Sequence, residues 1–410
     1  MGQTEASDRR RWLVVALVFV AIMLNYVDRQ ILALLKPTLQ VEFNWTDGDY
    51  ANMQSAFQVA AAFAFLGTGW FIDRVGLRRG FGLGVGLWSL AAMAHALATT
   101  VTGFIAARAV LGAAESVGTP AAVKSAATYF GPANRSLALG IGNVAPNVGA
   151  VVTPLAIPAI AVAFGWQAAF LIAGGLGLVW VVVWFAARLP APAPEAETVP
   201  GVPWAALLRD RRTWALLVAK VLSDQVWFFM LSWLPDLFNR LFGLPQGSVG
   251  APVALVFALA ATGAIAGGLL PTRLLARGWS VNRARKISLL IFACLVVPVP
   301  LVLLVESPWT AALLLGLGLF AHQGFSTNVF AFATDVFPAR NVGSAIGIAA
   351  FAGNLWSIGL IQFAAWSLAN GYGYRPSMFI CALSYLAALG LLHLIVPRIV
   401  PATAGATAAK

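Results

Sequence analysis

Arg108 and Glu115 stand seven residues apart in a run from Phe104 to Ala127 that, Lys124 apart, carries no other charge. Seven residues is almost two helical turns, so both project from nearly the same face, roughly 10 Å apart along the axis. A bare charge at bilayer depth costs at least about 3 kcal/mol. Such groups face a polar cavity, pair with something, or change protonation state. A carboxylate that can gain a proton, beside a guanidinium that can hold an anion, is the chemistry of coupled ion movement. The first apolar run carries a second such couple in Asn25-Tyr26-Val27-Asp28-Arg29. Adjacent helical residues are about 100° apart, which leaves two readings of Asp28 and Arg29. Either they neutralise charges as a structural pair, or Asp28 accepts a proton while Arg29 faces a substrate carboxylate. Arginine suits the latter task, because its planar fork binds a carboxylate bidentately.

Other intramembrane polar residues are candidates for recognising hydroxyls. Gln54 and Gln58 share one face of the second run; Gln225 lies in the seventh; His322 and Gln323 lie in the tenth. Tyr26 has a hydroxyl that must find a partner near Asp28 and Arg29. Lys124, nine residues past Glu115, faces nearly the opposite way on a straight helix, although Pro120 can bend it. It is either a substrate contact or a lysine reaching towards the cytoplasmic interface. Lys220 and Asp224, spaced i,i+4, can neutralise each other. Trp227 and Trp356 read as packing or interfacial anchors. No metal-ligand cluster, nucleophile motif or phosphate-binding loop stands where it could do chemistry, so neither an enzyme nor a metal site is expected.

These residues must be positioned by membrane helices. The 410 residues are 60% hydrophobic and only 10% charged, with a mean hydropathy of +0.83; a water-soluble surface needs far more charge. The net charge of +11 does not point to nucleic acid, because the basic residues sit in short loops rather than in a patch. Cys294 and Cys381 lie inside apolar runs and read as free core thiols. Arg9-Arg10-Arg11 precedes an apolar run too long for a signal-peptide core, which reads as an uncleaved first span. Windows of about 20 apolar residues place twelve spans at 12–34, 51–72, 80–99, 103–128, 136–163, 166–187, 213–238, 250–272, 286–305, 309–331, 343–369 and 376–396. Residues 189–212, with Pro190, Pro192, Pro194, Pro200 and Pro203, read as an extended linker followed by an amphipathic turn at Trp204.

With an inside N-terminus, 19 of the 26 lysines and arginines fall in cytoplasmic segments, which sets both ends inside by the positive-inside rule. The halves also echo each other. Aligned at Phe130 and Phe337, Ala138 matches Ala345, Gly140 matches Gly347, and Asn147 meets Asn354. Parallel repeats of six spans mark transporters that rock around a midplane site. The same pairing makes Asn147 and Asn354 candidate hydroxyl ligands.

The loop after span two reads Gly69-Trp-Phe-Ile-Asp73-Arg74-Val-Gly76-Leu-Arg78-Arg79. This pattern resembles the loop signature of the major facilitator superfamily, in which the Asp latches one conformation; Gly69, Asp73, Arg74 and Gly76 are its latch residues here. A second, eroded copy runs Gly268-Leu-Leu-Pro-Thr272-Arg273, with Thr272 in place of an Asp. Asn25 to Arg29, Arg108 to Glu115, Phe130-Gly-Pro-Ala-Asn-Arg135, Gly165-Trp166-Gln-Ala-Ala-Phe170 and Phe351-Ala-Gly-Asn354 further resemble the anion:cation symporter family. That family includes bacterial hexuronate and galactonate permeases; Val123-Lys124-Ser-Ala-Ala-Thr-Tyr-Phe130, Ala321-His322-Gln323 and Thr334-Asp335-Val-Phe337 lean towards its hexuronate branch.

The resemblance implies an all-α membrane protein of two pseudo-symmetric six-helix bundles, 1–188 and 213–410, joined by the 189–212 linker, and a monomer in the bacterial inner membrane. It also implies a proton-coupled symporter for a small organic anion, a hexuronate such as glucuronate or galacturonate. Protons are the coupling ion and no cofactor is expected. Asp28 and Glu115 carry the protons. Arg29 and Arg108 meet the carboxylate, and the amides, Tyr26, His322 and Lys124 complete the contacts. Alternatives are an aldonate or other carboxylate symporter, an anion exchanger, or a non-transporting membrane sensor of an organic anion.

Overall fold

In the bilayer core a backbone N–H or C=O has no water to bond, so each apolar run must satisfy its own peptide groups and does so as a helix. A computed structural model describes residues 2–130, 132–189 and 204–400. Among these residues it contains α1 (Gly2–Phe43), α2 (Asp47–Val75), α3 (Leu77–Ala94), α4 (Val101–Glu115), α5 (Gly118–Tyr129), α6 (Pro132–Phe164) and α7 (Trp166–Ala186). The second half contributes α8 (Trp204–Leu208), α9 (Arg211–Phe242), α10 (Gly250–Ala276), α11 (Val281–Val296), α12 (Pro308–Val336), α13 (Ala339–Ala369) and α14 (Arg375–Ile395). Every expected span falls on a helix, with α4 and α5 forming the fourth span in two pieces and α8 the expected short turn. Most of the expected linker, 190–203, lies outside the described residues. Among the described residues, eleven helical segments are long and apolar enough to cross a membrane. The tenth span, α12, falls short of that hydropathy because it carries His322, Gln323, Ser326, Thr327 and Asn328.

Local sequence sets the helix ends. Thr46 caps α2, accepting from the Asp49 backbone while Asp49 reaches back to Thr46, a reciprocal capping box. Thr100 caps α4 and Ser280 caps α11 in the same sense. The tight reversal between α2 and α3 turns on Gly76, whose φ of 86° is open to glycine at no steric cost.

The chain divides into two compact units. The first comprises Met1–Thr198 with Leu244–Ala254, the second Val199–Gly243 with Leu255–Lys410. In the first, α1 packs on α6 and α7, α2 on α4, and α3 on α7 and α4. Its aromatic core stacks Phe81, Trp180 and Trp184. In the second, α9 packs on α13, α14 and α12, and α11 on α12 and α14. Leu244–Ala254 joins the first unit through Gln246, which donates to the Leu34 carbonyl at 2.6 Å and accepts from Thr38 at 3.2 Å. Residues on one face of α7, Ile172, Leu176, Val179 and Val183, are apolar yet exposed, as a lipid-facing surface requires. Cys381 is buried as expected, but Cys294 is exposed: its position on α11 turns away from the faces that pack on α12 and α14.

Candidate functional site

The fourth span breaks at the residue that carries its carboxylate. α4 ends at Glu115, Ser116 and Val117 turn, and α5 restarts at Gly118. A break of this kind frees backbone carbonyls that a membrane cannot solvate. The Asn25 side-chain amide of α1 takes one of them, donating to the Glu115 carbonyl oxygen at 3.4 Å. Gly118 makes the approach possible, since a Cβ there would lie 3.1 Å from Ile22. One turn beyond Asn25, on the same face of α1, Arg29 Nε donates to Glu115 Oε2 at 2.8 Å. The Glu115 side chain is fully buried, whereas Arg29 keeps 16% exposure.

Arg108 is 1% exposed and does not pair with Glu115. Its Nη2 donates to Gln54 Oε1 at 2.5 Å, and Gln54 Nε2 donates to the Tyr50 hydroxyl at 2.7 Å. The guanidinium carbon of Arg108 sits 4.6 Å from the Phe57 ring centroid, and that of Arg29 sits 5.2 Å from the same ring and 5.2 Å from Tyr26. Beyond Tyr50, Lys36 is fully buried, 5.3 Å from the Tyr50 ring centroid and bonded to Asp47 at 2.8 Å and Gln40 at 3.2 Å. Asp28, 2% exposed, lies within electrostatic reach of both Glu115 and Arg108. Asp28 Oδ1, Glu115 Oε1, and Nε and Nη1 of Arg108 are buried with no hydrogen-bond partner among the described residues. Unpaired buried polar atoms are costly and rare. Four such atoms on three neighbouring residues make this cluster the candidate site.

The structure thus brings Asp28, Arg29, Tyr26, Arg108, Glu115 and Gln54 together in the first unit. Gln58 is buried one residue past Phe57. Asn147 lies on α6 two residues before Gly149, where a Cβ would come 3.0 Å from Cβ of Tyr26. Lys124 lies elsewhere: it pairs with Asp73, the expected latch carboxylate, in a largely exposed ion pair. Arg74 stacks on Trp70, and Gly69 has open space around it. In the eroded second copy, the Thr272 hydroxyl bonds only within its own helix, to the Gly268 carbonyl.

In the second unit, Gln225 Nε2 donates to Ser384 Oγ at 3.0 Å, and Asn354 Nδ2 donates to the Ala350 carbonyl at 2.9 Å. His322 Nδ1 meets the Tyr385 hydroxyl at 2.8 Å and its ring stacks on Trp227 with centroids 5.2 Å apart. Gln323 follows it on α12 and is half-buried. Lys220 and Asp224 pair at 2.8 Å as their spacing predicts. Gly353 makes room for them, because a Cβ there would lie 2.8 Å from Asp224 Oδ2.

Sequence reasoning missed Phe57, Tyr50 and Lys36. Tyr50, Gln54, Phe57 and Gln58 share a helical stripe on α2, and that spacing was the available signal. An aromatic in an apolar run, however, reads as packing.

Comparison with known proteins follows the same lines. The sequence pattern of the Major Facilitator Superfamily matches residues 18–361. The chain is similar to the hexuronate transporter of Escherichia coli strain K12, 27% identical over 393 residues that cover 91% of this chain and 90% of that protein. It is also similar to the D-galactonate transporter of Escherichia coli O6:H1, 26% identical over 420 residues, 94% and 96% of the two chains. Among solved structures, a bacterial homologue of the human lysosomal transporter Spinster superposes with a TM-score of 0.79 at 17% identity, covering 95% of this chain and 97% of that one.

Proposed function

The chain belongs to the major facilitator superfamily, and on that footing we propose that it is a proton-coupled symporter of sugar acids, hexuronates first among them. Its fold and family are a transporter's, not an enzyme's. One observation carries the proton coupling: a buried carboxylate, Glu115, occupies the guanidinium of the partly exposed Arg29. The likeness to hexuronate and galactonate transporters over about nine-tenths of each chain supports the substrate class.

Mutual exclusion follows from the pair's geometry. While Glu115 is ionised, Arg29 is neutralised at 2.8 Å, and an incoming anion gains little from it. A proton on Glu115 removes the competitor and leaves the partly exposed guanidinium of Arg29 unneutralised, so that its fork can take a carboxylate. Anion binding is then favoured by protonation. By linkage, proton binding is favoured by the anion to the same degree. That reciprocity is symport. Asp28 is the second proton acceptor, since its Oδ1 is buried without a bond to hold it ionised. Arg108, tied to Gln54, adds positive potential and two nitrogens without a partner among the described residues. Tyr26 and Asn147 are suited to sugar hydroxyls. Alternating access returns the empty carrier. The charge asymmetry of the loops supports a cytoplasmic-membrane protein with both ends inside.

A thermal-shift screen of the purified protein tests the substrate class, because a ligand that binds only the native state raises its melting temperature. Glucuronate, galacturonate and galactonate are expected to stabilise it more at acidic than at neutral pH, and neutral hexoses not at all. Stabilisation by hexoses, or by none of the acids, contradicts the reading.

A further inference from the structure

We propose that Phe57 is a cation–π platform that holds both guanidinium groups of the site in place for the anion. It is a positioning residue, and the proposal rests on the transport reading above. Phe57 is 3% exposed, a value typical of any core aromatic. What distinguishes it is its company. Arg29 from α1 and Arg108 from α4 approach the same ring, at 5.2 Å and 4.6 Å from its centroid. The two cations therefore lie within about 10 Å of each other in a buried setting, where like charges repel far more than in water. The negative face of an aromatic ring attracts a cation, so one ring offsets part of that repulsion for both.

The ring cannot easily be elsewhere. α2 and α4 touch backbone to backbone at this level: a Cβ on Gly112 would lie 2.4 Å from the Phe57 carbonyl oxygen. Gln54, three residues earlier on α2, fixes Arg108 Nη2 from the same stripe. With Arg108 held by ring and amide, Glu115 is left to Arg29 alone. The titratable and charged groups around this cluster are Tyr26, Asp28 and Arg29 of α1, Tyr50 of α2, Arg108 and Glu115 of α4, and His95 after the end of α3. Glu115 acts on both cations while it is ionised; once it takes a proton, the ring remains as the support the two share. Loss of the π charge removes that shared support, so both guanidiniums are held less firmly in place for the anion.

Fluorination tests this directly, since it removes π charge while leaving the ring's shape almost unchanged. Full-length protein carrying 4-fluoro-, 3,5-difluoro- or 3,4,5-trifluorophenylalanine at position 57 is reconstituted, and glucuronate counterflow is measured. The half-saturating concentration is expected to rise stepwise with fluorine number, to roughly tenfold for the trifluoro ring, with the maximal exchange rate changed less than twofold. A flat series overturns the platform and leaves Phe57 a packing residue. Wild-type protein that neither exchanges nor binds any sugar acid is a different result: it overturns the transport reading itself, and the platform with it.

Discussion

Glu115 is the last residue of α4, so one position both ends a helix and places a carboxylate on Arg29. The seven-residue spacing anticipated that Arg108 and Glu115 share a face, and both are buried at 1% exposure. It did not anticipate that they part company, with Glu115 turning to α1 and Arg108 to α2. Spacing along one helix is blind to partners on its neighbours. Gln54 shows the same limit. Its sequence context reads as a sugar ligand, yet both ends of its amide are engaged by Arg108 and Tyr50. Outside the membrane, Asp210 caps α9, accepting from the Arg212 backbone at 2.8 Å and from its guanidinium at 2.8 Å. Partial burial alone would raise its carboxyl pKa, but the Arg212 bonds outweigh that and hold it below the usual range. A depressed folded-state value stabilises the protein above the unfolded value near 4, and that stabilisation is lost as pH falls through the folded value. Asp210→Ala is therefore expected to cost about 1 kcal/mol at neutral pH, and that difference is expected to shrink as acidification protonates the carboxylate. Melting temperatures across pH check it. An equal cost at every pH refutes the linkage.

At the scale of elements, close helix contacts are set by small residues, as expected where lipid supplies no hydrophobic drive between helices. Gly112 lets α2 meet α4, and Gly149 lets α6 meet α1, where a Cβ would lie 2.6 Å from the Met23 carbonyl oxygen. Gly112→Ala is expected to force these backbones apart, costing about 1–3 kcal/mol and loosening Arg108 from Gln54. Its melting temperature should fall and its glucuronate affinity with it. A variant with wild-type stability contradicts this packing. Helix number and order were legible in the sequence, because twenty apolar residues between charged loops admit few readings. The break at Ser116–Val117 was not. Pro120 drew attention to a bend, but the helix parts earlier, where Asn25 can take the freed carbonyl. The pairing of Lys124 with Asp73 was also hidden, for it depends on how α5 lies beside the end of α2.

The whole molecule keeps its buried charge in a few places and surrounds it with apolar helices. The first unit holds two carboxylates and two guanidiniums in one cluster, and the second holds the Lys220–Asp224 pair and His322 on Trp227. The superfamily could be read from the Asp73 loop and the repeat, since a loop signature survives wherever the turn geometry must. The finer substrate class rests on residues whose side chains choose partners only in three dimensions. Coupling requires that a proton on Glu115 release Arg29 for the anion. Glucuronate uptake into proteoliposomes under an imposed inward proton gradient tests it most directly, comparing wild type with Glu115→Gln. The amide cannot exchange a proton. The variant should lose gradient-driven accumulation by at least tenfold while still exchanging glucuronate between the two sides at equal pH. Full accumulation by Glu115→Gln would rule out Glu115 as the proton site.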